Sequence, residues 1–247
     1  MESQIDARLP LPKLILADIV GTCIGLLPGI VAWSSALSYV HCIWSRPRFY
    51  AYVALFPPVL VFTYLAMVFL VRLCLPRLKP GVYEMNSPGM RAWYMHFLLA
   101  NGLYASGLMP AIYCTYLTRF LYWRAMGAKT GYGIHCSVFT RMRDFQLITI
   151  GDGVNLSANT HIACHTFVGD RLLLGKVEIG ERAFIGMDVV IGPKTKIGKG
   201  AWIGLGNRLM RETIPDGGRI ENFEYFFGNE ERQKRQKNAQ GKPEGTE

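Results

Sequence analysis

The chain has 247 residues, half of them apolar and 18% charged, with a mean hydropathy of +0.17, which excludes both an ordinary soluble domain and a disordered chain. Its six cysteines, at 23, 42, 74, 114, 136 and 164, lie far apart with no Cys-x-x-Cys pair. That excludes a zinc ribbon or a disulfide scaffold and leaves reduced thiols, with no metal expected. The net charge of +9 divides into +6 over residues 1–125 and +3 over residues 126–247. The excess sits beside the apolar segments, where it suits anionic lipid headgroups; no nucleic-acid motif accompanies it, so nucleic acid is not an expected partner.

A short N-terminal tail, residues 1–13, precedes two apolar runs within residues 14–75. No charged residue occurs from Ile19 to Ser45, nor from Phe49 to Val71. About 20 apolar residues cross a bilayer core as a helix, so both runs are long enough to span it. The first is too long for a cleaved leader and is followed at once by the second. Trp44 in the link reads as an interfacial aromatic and Pro47 as a helix stop, while Pro28, Pro57 and Pro58 predict kinks. The expectation is a transmembrane hairpin. Arg72, Arg77, Lys79 and Arg91 follow the second span, against Arg46 and Arg48 in the link. The positive-inside bias then places both termini, and everything that follows, on the cytoplasmic side of a bacterial inner membrane.

Residues 76–125 are the harder segment. Between 92 and 118 there is no Asp, Glu, Lys or Arg, which permits a third span. Yet Gly102, Gly107 and Pro110 divide the run, and Tyr, Trp, His and Asn side chains give it polar tips. Two short amphipathic helices lying in the interface are expected; a third span, which would carry the back half across the membrane, is the alternative.

From residue 126 to 212 the pattern changes to a period of six. Ile179-Gly, Ile185-Gly, Ile191-Gly, Ile197-Gly and Ile203-Gly follow one another in register, and Ile150-Gly, Leu156-Ser and Ile162-Ala keep the same period earlier. Each hexad is one short strand of a triangular coil, with its aliphatic residue pointing inward and a small residue after it where a Cβ is crowded. Three hexads make a coil, and coils stack through parallel ladders because none can bury its apolar face alone. The phase breaks between Ile162 and Ile179, where Cys164 to Lys176 leave the coil; such departures form loops on a binding face. His135 to Gln146 reads as a weaker coil or a cap.

This pattern resembles the hexapeptide-repeat acyltransferases, whose domain is a left-handed parallel β-helix. The fold class expected is therefore mixed: an α-helical membrane hairpin with interfacial helices, followed by an all-β left-handed solenoid. The resemblance implies transfer of an acetyl or other acyl group from a CoA thioester to a hydroxyl or amine, with one histidine as general base. Two histidines meet the break: His165, the first choice, and His161, the alternative. His165-Thr-Phe167 with Asp170-Arg171, after a membrane region ending Trp123-Arg-Ala-Met-Gly-Ala-Lys129, is similar to the membrane-linked acyltransferase-like domains that end polylysine-synthetase-type peptide synthetases. That similarity implies a carbonyl or a carboxylate such as Asp170 orienting the base. Phe167, Arg171 and Asn159 join Asp170 as substrate-binding residues, and Lys194 and Lys196 face the CoA phosphates. A homotrimer is the assembly it implies.

After Arg208 the repeat is expected to stop. Residues 213–247 are read as an extension with an aromatic cluster (Phe223, Tyr225, Phe226, Phe227), ending in a disordered charged segment. Two other functions stay open: amide formation from an aminoacyl thioester on a separate carrier protein, and a non-catalytic β-helix tethered to a membrane.

Overall fold

The computed structural model describes residues 11–44, 46, 49–137 and 139–221. The tail as far as residue 10 and the aromatic cluster and charged segment beyond 221 lie outside the described residues.

The first apolar run is one helix, α1 (Leu11–Ile43), continuous through Pro28. The second is divided. A short α2 (Phe49–Val53) is separated from α3 (Phe56–Cys74), and Pro57 and Pro58 occupy the first turn of α3. There the missing N–H groups have no intrahelical partner to lose, so the prolines start the helix where a kink within it was expected. α1 and α3 pack side by side. Residues Ile19–Ile43 and Phe56–Cys74 are the two stretches long and apolar enough to cross a membrane among the described residues.

Strand β1 (Gly81–Glu84) leads into α4 (Pro88–Ala105), capped by the Ser87 hydroxyl on the Met90 N–H, then α5 (Met109–Tyr113) and α6 (Tyr116–Ala125). Three separate helices replace the two expected, and α4 runs along α1. A Cβ added at Gly21 would strike Leu98, one at Gly25 would stand 2.9 Å from the Leu98 carbonyl oxygen, and one at Gly29 would stand 2.7 Å from Ser106 Cβ. Gly102 in turn faces the Gly25 carbonyl, and the Trp33 indole N–H donates to the Ser106 carbonyl at 3.0 Å. Contacts that step by four residues on both helices require near-parallel axes running the same way. If α1 crosses a bilayer, α4 therefore cannot lie flat in its interface. Small residues on α1 and α4 decide this, because they let the two backbones meet.

The period of six produces the expected solenoid. Its first coil comprises β2 (Lys129–Thr130), β3 (His135–Cys136) and β4 (Arg141–Met142). A 3₁₀ turn (Phe145–Leu147) leads to the second, β5 (Ile148–Ile150), β6 (Asn155–Leu156) and β7 (His161–Ile162). The chain then leaves the coil as a hairpin, β8 (His165–Val168) and β9 (Arg171–Leu174). It returns as β10 (Val177–Ile179), β11 (Phe184–Ile185) and β12 (Val190–Ile191), followed by β13 (Thr195–Ile197), β14 (Trp202–Ile203) and β15 (Arg208–Leu209). A last partial coil adds β16 (Thr213–Ile214) and β17 (Arg219–Ile220).

Equivalent strands stack in three parallel sheets. Ile150, Ile179, Ile197 and Ile214 stand in register in one, Leu156, Ile185, Ile203 and Ile220 in the next, and Met142, Ile162, Ile191 and Leu209 in the third. The glycine after each isoleucine sits where coils touch: a Cβ at Gly186 would lie 2.7 Å from the Leu205 amide nitrogen of the coil above. The stretch from His135 belongs to the first coil, one of the two readings its weaker pattern allowed, with Thr130, Cys136 and Met142 at the usual aliphatic sites. One sequence expectation is corrected: the ladder does not stop after Arg208 but runs to Ile220, with the step from Ile197 to Ile214 one residue short of eighteen. Ile185 is fully buried while Ile220 is half-buried at the open end. Ile185→Ala is therefore expected to destabilise by about 2–5 kcal/mol, and Ile220→Ala by less than half as much, in guanidinium unfolding of the detergent-solubilised chain.

Candidate active site

The excursion is a β-structure of its own. β8 and β9 pair antiparallel around Gly169-Asp170, and β1, arriving from the end of α3, adds a third strand against β9. The flap thus joins the solenoid to the helical part at the point where the six-residue phase is lost.

At its foot stands His165. Its Nδ1–H donates to Asp144 Oδ2 at 2.6 Å, the direction an ionised carboxylate imposes because it only accepts. The same Asp144 oxygen accepts the Cys164 N–H at 3.0 Å, and Oδ1 accepts the Trp93 indole N–H at 2.8 Å. Asp144 occupies the left-handed region at φ 60° between the first coil and the 3₁₀ turn, a conformation that aspartate tolerates better than most residues. Its side chain is 1% exposed against 18% for His165. A buried carboxylate with three donors, one on α4, is thus a fixed support, and it leaves Nε2 of the imidazole without a protein partner among the described residues.

Aromatic side chains pack around the imidazole. Trp93 lies 4.9 Å from His165 between centroids, stacks on Phe97 at 5.3 Å and meets Phe167 edge-on at 5.6 Å. Arg143, next to Asp144, donates to Asn101 Oδ1 at 2.6 Å, with its guanidinium over the rings of Phe97 (5.2 Å) and Tyr104 (5.5 Å). His161, in the neighbouring strand β7, is half-buried. Burial first, then the positive charges of Arg143 and Arg141 and the neighbouring His165 imidazole, push its imidazole below the usual histidine value. The folded chain therefore disfavours the protonated ring, and below the ordinary pKa of about 6.5 the unfolded chain binds more protons. Stability is expected to fall as pH drops through that value. His161→Gln should flatten the difference between guanidinium midpoints measured at pH 7.5 and 5.5. Burial and the Asp144 charge raise the Cys164 thiol well above its usual value, so this cysteine stays protonated and is no nucleophile.

The remaining sequence candidates fall in different places. Phe167 is beside His165. Asp170, suggested as the orienting carboxylate, is in the turn of the flap, and the carboxylate bonded to the imidazole is Asp144. Strand rise puts the turn roughly 10 Å or more from His165. Arg171 pairs across the flap with Glu84 and Val168 and is exposed. Asn159 is at a corner of the second coil, its amide donating to Asp188 Oδ1 at 3.1 Å. Lys194 is a corner residue at φ 62°, its stem against Gly175 at the foot of the flap. Lys196 is on another face, 4.0 Å from Glu178. Asp144, Trp93, Asn101 and Arg143 were not anticipated. Among the described residues no group of three or more His, Cys, Asp or Glu side chains could hold a metal ion.

No family model matches the chain. It is similar to YvoF of Bacillus subtilis strain 168, whose name calls it a putative acetyltransferase, at 32% identity over 94 residues. That match covers 37% of this chain and 54% of the relative, so the chain spans about half the length of the curated relative it matches. Among solved structures, a maltose O-acetyltransferase from Clostridium difficile 630 aligns at 19% identity and TM-score 0.45 over 59% of this chain and 90% of its own. A hexapeptide-repeat acetyltransferase, VCA0836 of Vibrio cholerae, aligns at 15% identity and TM-score 0.40 over 48% of this chain and 84% of its own. A galactoside acetyltransferase solved with coenzyme A aligns at 18% identity and TM-score 0.43, over 58% and 82%.

Proposed function

We infer that this chain is a membrane-anchored acyltransferase that moves an acetyl or other acyl group from a CoA thioester to a hydroxyl or amine. The observation that carries the reading is the His165–Asp144 pair, an imidazole with one nitrogen fixed on a buried carboxylate and the other open, placed where the solenoid is interrupted. The 32% identity to a relative with an acetyltransferase name supports it.

In this mechanism the acceptor's O–H or N–H is placed against His165 Nε2, whose lone pair is available because Nδ1 carries the proton held by Asp144. As the acceptor's proton moves to Nε2, its oxygen or nitrogen attacks the thioester carbonyl carbon. The C–S bond then breaks, and the departing thiolate takes the proton back from the imidazolium, leaving CoA as the free thiol. Asp144 stabilises the imidazolium by accepting from its Nδ1–H. Lys194, at the foot of the flap, is the lysine available to the donor's phosphates; Lys196 lies on a different face.

The anchor in this reading is α1 with α3, and the bias of Arg72, Arg77, Lys79 and Arg91 puts the solenoid on the cytoplasmic side. The finer resemblance, to the acyltransferase-like ends of polylysine-synthetase-type peptide synthetases, rests on His165, Phe167, Asp170 and Arg171. A homotrimer is the assembly expected with it. The test is transfer of label from acetyl-CoA into the lipid or lipid-linked saccharide fraction by the purified full chain and by His165→Ala. Equal transfer by both overturns the base, and no transfer with no CoA binding overturns the reading.

A further inference from the structure

We propose that Arg143 is the receptor for an anionic phosphate group on the acceptor, presented at the membrane surface beside His165. This deepens the acyltransferase reading and rests on it.

The first observation is charge. Among the described residues Arg143 has no carboxylate bonded to its guanidinium. Both oxygens of the adjacent Asp144 are taken by Trp93, Cys164 and His165, and the Arg143 guanidinium donates to the neutral side-chain carbonyl of Asn101. Its plane is held by Phe97 and Tyr104. One of five guanidinium donors is so engaged, which leaves a pre-oriented fork of the kind that grips phosphate oxygens. Arg141, two residues earlier in β4, adds a second positive charge, and both depress protonation of His161. A half-buried cation in such surroundings calls for an anion.

Depth is the second observation. Asn101 precedes Gly102, which faces Gly25 of α1. Gly25 lies six residues inside the apolar stretch that begins at Ile19, or about 9 Å along a helix of 1.5 Å rise. That stretch has 25 residues and exceeds a hydrocarbon core of about 30 Å by several ångström. With that excess shared between its two ends, this level lies about 5 Å below the headgroup boundary, a depth from which an arginine reaches up to a lipid phosphate, with the 43%-exposed Tyr104 beside it. A soluble acceptor does not need an arginine at that depth; the phosphate of an amphiphile does. Trp93 and Phe97 connect this position to His165 through successive ring contacts, so one molecule can reach both.

Calorimetric titration of the detergent-solubilised full chain tests this with dihexanoyl phosphatidic acid, dihexanoylglycerol, inorganic phosphate and CoA. Wild type is expected to prefer the phosphatidic acid to the glycerol. Arg143→Gln should lose at least tenfold of that preference and Arg143→Lys should keep most of it. Arg208→Gln, an exposed guanidinium on the same face, should change nothing. Inorganic phosphate that binds as tightly as the phosphatidic acid identifies a free phosphate as the source; phosphate that does not bind identifies the lipid headgroup. The proposal is overturned if wild type shows no preference, or if Arg143→Gln keeps it. Equal weakening of both lipids also overturns it, since that marks a structural role only, as does weakening for CoA alone, since that reassigns Arg143 to the donor. Binding needs no turnover, so the proposal and the base assignment fail separately. Arg143→Gln losing the preference while His165→Ala still transfers removes His165 and leaves Arg143.

Discussion

His165→Ala is expected to lower acyl transfer by about 10²–10⁴-fold, the usual contribution of a positioned general base, with little change in stability because the side chain is part-exposed and its loss frees only one of Asp144's three donors. Asp144→Asn is the more informative partner. An amide has one acceptor oxygen where three donors converge, and its N–H₂ group directed at His165 would force Nδ1 to accept and place the proton on Nε2. The base would then be in the wrong tautomer, and transfer should fall by roughly 100-fold or more. Unlike His165→Ala, this change leaves buried donors unmatched, at about 1–3 kcal/mol. The pair of variants thus separates chemistry from folding, read by label transfer and by guanidinium unfolding on the same preparations. Wild-type transfer by His165→Ala together with a large loss in His161→Gln would move the base to His161.

The solenoid was legible because its physics is periodic: each coil repeats the demand for an inward aliphatic residue and a small neighbour, so Ile179 to Ile203 announce themselves. The first coil and the last were obscured because their inward positions hold Thr130, Cys136 and Met142 at one end and a seventeen-residue step at the other. His165 could be found because it stands where the period fails. Asp144 could not, since nothing in a linear pattern tells that a carboxylate twenty-one residues upstream will be folded under that imidazole, and Arg141, Arg143 and Gln146 around it make the stretch read as ordinary polar surface. Nor was α4 legible. Its polar tips, Trp93, His96, Asn101 and Tyr104, read as surface residues, whereas Trp93 is on Asp144, His96 meets the Pro76 carbonyl at 2.9 Å and Asn101 is on Arg143. A helix that touches a partner on two sides carries no clean amphipathic period.

Gly102→Val is expected to damage the protein as severely as a change in the site itself. An added Cβ would fall on the Gly25 carbonyl oxygen, and the Gly25 Cα would stand 3.2 Å away. Both obstacles are backbone, so relief has to come from moving a whole helix. Overpacking of this kind costs about 1–3 kcal/mol, which for a chain of this size corresponds to a drop of roughly 2–12 °C in the unfolding midpoint in detergent. Transfer should fall as well, because α4 carries both Trp93 and Asn101: pushing it off α1 withdraws one donor from Asp144 and the carbonyl that fixes Arg143. Gly107→Ala is the control. Gly107 has φ +73° with nothing within 4 Å of an added Cβ, so that change meets only the local backbone cost of about 1 kcal/mol and leaves the helix contact alone. A Gly102→Val protein that melts and transfers like Gly107→Ala would show that α1 and α4 are not held together at their glycines. The parallel placement that brings Asn101 and Arg143 to the level of the membrane surface would then fail.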